Sequence, residues 1–365
     1  VSSSTALLLV LVGTKAQFIK TAPILRELDS RGISYRLIYT GQHSETFDIL
    51  ESVFETRAPD DNLVPGTEAD SARGLLGWAV QFGAAALKRI YRREWSGARW
   101  GVVHGDTAST LFTAVALRLA GVRVAHVEAG LRSNSLLSPF PEEIIRRLVS
   151  RVTLLHLAPD AVAVANLSKV RGRIVDTGGN SLRDALAMAL QRLSPESGTG
   201  GDGGYAIVSL HRTENLSDRK VLDLMMEEVV RTSIALPVRF VLHPVTRRQL
   251  KRSGWFQRLL AESQVSLMER MDYVSFVGLM VGARFLMTDG GSNQEEAAML
   301  GLPTLLMRSA TERPDGLSAG TVVLSGLDRN LIRSFVDEHR SGHWKIRSID
   351  PSSPSVRIVD ELIRE

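Results

Sequence analysis

Residues 6 to 32 read ALLLVLVGTKAQFIKTAPILRELDSRG. The first seven of these, Ala6 to Val12, are apolar without interruption. A strand with one wet face would alternate; a continuous run marks a strand covered on both faces, as in a parallel sheet. Gly13 and Thr14 then break the run. Ile19, Ala22, Leu25 and Leu28 follow near helical spacing, and Gly32 supplies the stop. Strand, glycine turn and helix in that order are the opening of a βαβ unit, and "YRLIYTG" (35–41) supplies the next strand.

The same alternation runs outward from this stretch. A long helix is expected over roughly residues 69–94, then the strand "WGVVHGD" (100–106) and a helix through "TLFTAVALRLAG" (110–121). "VRVAHVEA", "TLLHLAP" and "RIVDTGG" read as further strands. "LSPESGTGGDGG" (193–204) is rich in glycine and serine and reads as a flexible loop. After it the pattern restarts, with strands at "YAIVSLH", "VRFVLHP", "VSLME", "FLMTDG", "PTLLMR" and "TVVLS", a helix near 276–283 among them, and a final amphipathic helix in "PSVRIVDELIRE". Two α/β halves, each a doubly wound parallel sheet, are therefore expected to face a cleft at the carboxyl ends of their strands.

Composition bounds the function. The chain has 365 residues, 44% hydrophobic and 23% charged, enough apolar material for two cores. It has no cysteine, which removes disulfides, thiolate nucleophiles and cysteine-based metal sites and fits a reducing compartment. A net charge of +4 is too balanced for a duplex-binding stripe, so no nucleic-acid partner is expected. No apolar run approaches a membrane span, and the run at 6–12 lacks the flanks of a signal peptide. His339 and His343 sit four apart, but Gly342 interrupts them and no third ligand is near, so no metal is expected.

Polar residues gather at the predicted carboxyl ends of strands. In the first half these are Gly13, Thr14, Lys15 and Gln17, then Gly41 to His43, His104 to Thr107, and His126 with Glu128. In the second half they are His211 to Asn215, His243, and Asp289 to Asn293. "TDGGSNQEEAAMLGLP" runs from a strand through two glycines into a helix, an arrangement that offers free N–H groups to a phosphate. The plainer alternative is an ordinary turn with Ser292 as N-cap. Glu295 or Glu296 could hold ribose hydroxyls or simply favour the helix dipole. Neither a P-loop nor a three-glycine dinucleotide fingerprint is present. Asp106, Glu128, Glu142 and His211 remain as candidates for moving protons at a bound sugar.

Taken together, "APILREL", "GQH", "HGDT", "HVEAGLR", "SPFPEE" followed by Arg146, "HRTEN", "HPV", "FVGLM", "DGGSNQEEAAMLGLPTLLMR" and "TERPDG" resemble the UDP-N-acetylglucosamine 2-epimerase family, in family order and over nearly the whole chain. The resemblance implies two Rossmann-like domains of the B-type glycosyltransferase kind. The first would cover residues 1–178, with the helix 353–365 packing back on it, and the UDP-binding second would cover 179–352. It implies inversion at C2 of UDP-N-acetylglucosamine through loss of UDP to a 2-acetamidoglucal and its re-addition, with no metal or nicotinamide. It places Asp106, Glu128 and Glu142 at the sugar, and His211 and Arg146 at the pyrophosphate side or assisting proton transfer. Lys15, Lys20 and His243 are expected to bind substrate, Gly290, Gly291 and Ser292 to hold phosphate, and Glu296 to hold ribose. Phe276 would stack on uracil, and Arg313 would lie near the cleft. A cytoplasmic homodimer is the family expectation.

The chain also departs from the family. The family's first loop usually reads Gly-Thr-Arg-Pro-Glu; here it is "GTKAQ", so Lys15 keeps charge without the planar fork of arginine. "GGS" stands for the common Ser-Gly-Gly, and Thr213 replaces an arginine. Residues 58–74, "APDDNLVPGTEADSARG", do not match the segment where activating UDP-N-acetylglucosamine binds in many bacterial members. Three rival readings share the fold or the residues: a hydrolysing epimerase releasing free N-acetylmannosamine, a glycosyltransferase, and a non-catalytic nucleotide-sugar-binding protein.

Overall fold

The computed structural model describes residues 8–43, 47–66, 69, 72–133, 141–193, 199–311 and 314–364. The chain divides into two compact units, residues 1–185 with 351–365, and residues 186–350. The division falls inside one helix, Leu182–Leu193.

The first unit is built on seven strands: β1 (Leu8–Val12), β2 (Tyr35–Tyr39), β3 (Asp61–Asn62), β4 (Trp100–His104), β5 (Val124–Val127), β6 (Leu155–Ala158) and β7 (Arg173–Asp176). They lie in the order β3-β2-β1-β4-β5-β6-β7, all parallel. β1 is buried at every position, as its unbroken apolar run requires. The helix Lys15–Ser30 follows it directly, capped by Thr14 with Gln17 as the reciprocal partner. The expected long helix is Ala72–Tyr91, and its Trp78 and Phe82 enter a core shared with Trp95 and the outer face of β4 and β5. The helix Pro354–Ile363 packs against Lys15–Ser30, where Arg31 meets Asp360 at 2.5 Å.

The second unit carries β8 (Thr199–Gly200), β9 (Tyr205–Ser209), β10 (Val238–Val241), β11 (Val265–Met268), β12 (Ala283–Thr288), β13 (Thr304–Leu306), β14 (Val322–Leu324) and β15 (Trp344–Lys345). Six of these form a second parallel sheet in the order β11-β10-β9-β12-β13-β14. Its core joins Val208, Phe240, Phe285 and Met287 to Met225, Met226 and Phe335 of the covering helices. The helix expected near 276–283 starts earlier, at Tyr273, because Asp272 caps it by accepting from the Ser275 N–H.

The reading of 193–204 as one flexible loop needs correction. Residues 194–198 lie outside the described residues, but β8 pairs antiparallel with β15. Gly200 is required there, because any Cβ would overlap the Trp344 indole. Two-residue strands carry no periodicity, so the pairing left no trace in the sequence pattern.

Candidate active site

In both sheets the strand order reverses beside the first strand, between β1 and β4 and again between β9 and β12. A crevice at the carboxyl ends of the strands opens at such a reversal. The candidate residues lie on the loops that leave these ends, as Asp106, Glu128 and His211 do, or in the helices that follow, as Lys20, Arg146 and Glu296 do.

In the first unit, Gly13 ends β1 where Thr40 and Ser109 approach; a Cβ at this position would overlap both hydroxyls. Gln17 then ties the β1 loop to the β4 loop. Its Oε1 accepts from the Gly13 N–H at 2.8 Å and the Thr14 N–H at 3.1 Å, and its Nε2 donates to His104 O at 2.7 Å and to Thr110 Oγ1 at 2.8 Å. The Gln-for-Glu change in this loop thus permits the donation to the His104 carbonyl, which an ionised carboxylate could not make.

Glu128 closes the turn after β5 with φ at +64°, a region a side chain rarely adopts. Its carboxylate is buried, and Oε1 accepts from Lys20 Nζ at 2.7 Å and Asn180 Nδ2 at 2.7 Å. Oε2 lies 3.9 Å from His104 Nδ1. Burial, opposed in part by Glu128, drives the His104 pKa down to about 3, so this ring is neutral at pH 7. His126 is likewise buried, with its pKa near 4, and its Nε2 lies 2.7 Å from Gly105 O.

Asp106 follows β4 and is held by Arg146, from Nε at 2.8 Å and Nη2 at 2.7 Å. Arg146 therefore engages a carboxylate of its own unit in this structure. Glu142 opens the helix Glu142–Val152, and its Oε2 is buried with no hydrogen-bond partner among the described residues. Its neighbour Glu143 is fully buried: it accepts from Arg147 Nε at 2.7 Å and from the Ser133 N–H at 3.0 Å, and so anchors the helix. Lys15 stands at the first position of its helix, partly exposed.

In the second unit Asp289 is the organising residue. It is fully buried at the end of β12 and accepts from the His211 N–H at 2.8 Å, the Arg212 N–H at 3.1 Å and Asn215 Nδ2 at 3.2 Å. His211 stacks on His243, ring centroids 4.5 Å apart. Partial burial is the largest cause of the depressed His211 pKa, with Asp289 opposing it. Gly290 allows this approach, since a Cβ would come within 2.5 Å of His211 Cε1.

The helix Gly291–Leu300 has Gly290, not Ser292, as its N-cap, and no side chain caps it. Ser292 as an ordinary N-cap is thus corrected: the helix begins two residues earlier, and Ser292 lies in its first turn beside the uncapped N–H groups. Glu295 and Glu296 are buried, and with burial they hold the Tyr273 hydroxyl far above the usual phenol pKa, burial being the larger cause. Phe276 lies half-buried on the helix Tyr273–Gly282. Gln294 holds the following loop through Thr311 Oγ1 at 3.0 Å and Asp315 O at 3.0 Å; Arg313 in that loop lies outside the described residues.

His339 packs edge-on against Phe335, and His343 lies 3.2 Å from Asp202. No group of three metal-ligating side chains converges among the described residues. Two contributors were absent from the sequence reading. Asn180 follows the strand "RIVD" and its glycines, the same strand-end position that singled out the others. Tyr273 carries no such positional mark and became visible only through its acidic neighbours.

The model of the UDP-N-acetylglucosamine 2-epimerase family matches residues 26–353. A putative UDP-N-acetylglucosamine 2-epimerase of Thermotoga maritima is 32% identical, with 97% of this chain and 95% of the relative covered. The UDP-N-acetylglucosamine 2-epimerase of Neisseria meningitidis is 30% identical over 98% and 99% of the two chains. Solved structures agree. The Neisseria meningitidis enzyme bound to UDP-GlcNAc superposes with a TM-score of 0.83 at 29% identity, covering 98% of this chain and all of that one. The Methanocaldococcus jannaschii enzyme in complex with UDP-GlcNAc and UDP gives 0.82 at 26%, covering 98% and 99%. With a family model spanning most of its length and relatives matched end to end, this chain belongs to the UDP-N-acetylglucosamine 2-epimerase family.

Proposed function

We propose that this chain interconverts UDP-N-acetylglucosamine and UDP-N-acetylmannosamine without releasing the sugar. The observation that carries the reading is the set of three carboxylates of the first unit: Asp106 and Glu128 follow strands β4 and β5 and are held by Arg146 and Lys20, and Glu142 opens the helix after β5. The C2 hydrogen is not acidic, so the anomeric C–O bond must break as the proton leaves, giving the sugar oxocarbenium character. Carboxylates stabilise that charge and can take the proton from one face and return it to the other. UDP departs with the bonding pair of C1–O, a 2-acetamidoglucal remains, and re-addition of UDP with protonation at C2 restores the saturated ring. Arg146 and Lys20 keep Asp106 and Glu128 anionic partners in place. Within the second unit, the uncapped helix at Gly290, Gly291 and Ser292, with His243, receives the diphosphate; Lys15 of the first unit binds substrate. His211 assists proton transfer, Glu296 takes the ribose and Phe276 the uracil.

Incubation with UDP-N-acetylglucosamine in deuterated water tests this. UDP-N-acetylmannosamine carrying deuterium at C2 is the expected product. Free N-acetylmannosamine with UDP would instead identify the hydrolysing reaction, and unchanged substrate despite UDP binding would overturn the epimerase reading.

We further propose a homodimer acting in the cytoplasm, where a cysteine-free enzyme of a nucleotide sugar is at home. No described helix is long and apolar enough to cross a membrane. Three neighbouring helices of the first unit expose apolar side chains at helical spacing. These are Leu76, Val80, Leu87 and Tyr91 on Ala72–Tyr91, Phe112, Val115 and Leu119 on Ala108–Leu119, and Ile144 and Leu148 on Glu142–Val152. So much adjoining apolar surface favours a second copy over water. Sedimentation of Val80→Glu, Leu119→Glu should show a monomer where the parent shows a dimer; a monomeric parent would remove the proposal.

A further inference from the structure

Asn180 lies beyond the two glycines that follow β7, outside every motif of the family pattern set out above. Its Oδ1 accepts from the Leu182 N–H at 3.0 Å, which fixes which way the amide faces. Its Nδ2 then donates to Glu128 Oε1 at 2.7 Å. Lys20 Nζ reaches the same oxygen at 2.7 Å from a different element, the helix Lys15–Ser30. Two donors from different elements thus meet on Oε1, while Oε2 lies 3.9 Å from His104 Nδ1.

The arrangement has a physical logic. Glu128 holds a left-handed backbone conformation that a side chain rarely adopts, so its side-chain direction is imposed by its surroundings. A lysine on four rotatable carbons supplies charge but little direction. A planar amide, itself pinned by a backbone N–H, supplies direction without a second cation. Among the described residues, the charged or titratable groups facing Glu128 include Lys20 and His104, with His126 farther along the sheet.

We infer that Asn180 is a positioning residue for the proposed catalytic carboxylate: with Lys20 it holds Oε1 of Glu128 and so sets the direction in which the carboxylate points. The inference rests on Glu128 acting in the reaction proposed above. It is tested in the full chain with Asn180→Asp and Asn180→Ala. The Asp variant is nearly isosteric but sets a carboxylate against Glu128, and a like charge at this distance raises a carboxyl pKa.

Two readouts are taken: the pH profile of kcat/KM for epimerisation, and the Glu128 titration by NMR with labelled glutamate, assigned against Glu128→Gln. Asn180→Asp should move the Glu128 titration up by about one pH unit or more, and one limb of the activity profile should move with it. Asn180→Ala should lower kcat about tenfold while KM and UDP affinity stay within about twofold. A Glu128 titration and a pH profile unchanged in both variants would overturn the inference. Should Asn180→Asp fail to fold, an unchanged kcat and titration in Asn180→Ala alone does so. An inactive parent protein would count against the epimerase reading, while the NMR titration would still decide the role of Asn180.

Discussion

Replacing Glu128 with glutamine is expected to lower turnover about 10³-fold while UDP binds as before. The amide is the same size and its carbonyl oxygen can still accept from Lys20 and Asn180, so the turn after β5 has no steric reason to move. What goes is the charge. A neutral amide neither takes the C2 proton nor stabilises oxocarbenium character, and a 10³-fold loss corresponds to about 4 kcal/mol of barrier. Steady-state kinetics beside UDP titration calorimetry separates the outcomes. Equal loss of turnover and UDP affinity would mean that Glu128 only holds the fold, and near-parental turnover would transfer the chemistry to Asp106 and Glu142. Glu128→Ala is a poorer probe, because it strands the buried Lys20 ammonium, and breaking a buried pair in this way costs about 3–5 kcal/mol of stability.

The second large effect is expected at Asp289, which touches no proposed reacting atom. Asp289→Ala removes the acceptor for the His211 and Arg212 N–H groups and for Asn215, at a fully buried position. Unsatisfied buried donors cost about 1–3 kcal/mol each, and partial relaxation leaves an expected total of about 3 kcal/mol. For a unit of this size that lowers its melting temperature by about 10 °C. UDP affinity should fall with it, since Asp289 holds the His211 N–H beside Gly290, the turn proposed to receive the diphosphate. Thermal unfolding with and without UDP measures both. A melting temperature within 2 °C of the parent (roughly 0.5–1 kcal/mol) would show that the loop has another support.

The fold was legible because its strands are buried on both faces. "ALLLVLV" and "FLMTDG" have the continuous apolar runs that only a covered parallel sheet needs, and each ends in glycine before a helix. Where the candidate residues fall in the fold followed too, since carboxyl ends of strands are readable wherever the ends are. Partnerships were not legible. Nothing in the string "RIVDTGGN" says that Asn180 will meet Glu128, fifty-two residues earlier, because the contact depends on how β5, β6 and β7 lie side by side. Arg146 showed the same limit: the resemblance set it at the pyrophosphate side or assisting proton transfer, and nothing in the sequence foretold its bond to Asp106. Which residue caps the helix at 291 was not legible either, because a glycine cap makes no side-chain signature and Ser292 offered an alternative.

The packing of Pro354–Ile363 on Lys15–Ser30 sets an order of events during synthesis. The partner of the helix at residue 15 is made more than 300 residues later, after the whole second unit has been translated. At roughly 5–20 residues per second, that helix waits about 15–65 s for its cover. The second unit is one continuous stretch of chain and can close as soon as it emerges. The first unit is thus the earliest to be made and the last to be completed, and in the interval its unfinished edge depends on solvent or chaperones rather than on its own sequence.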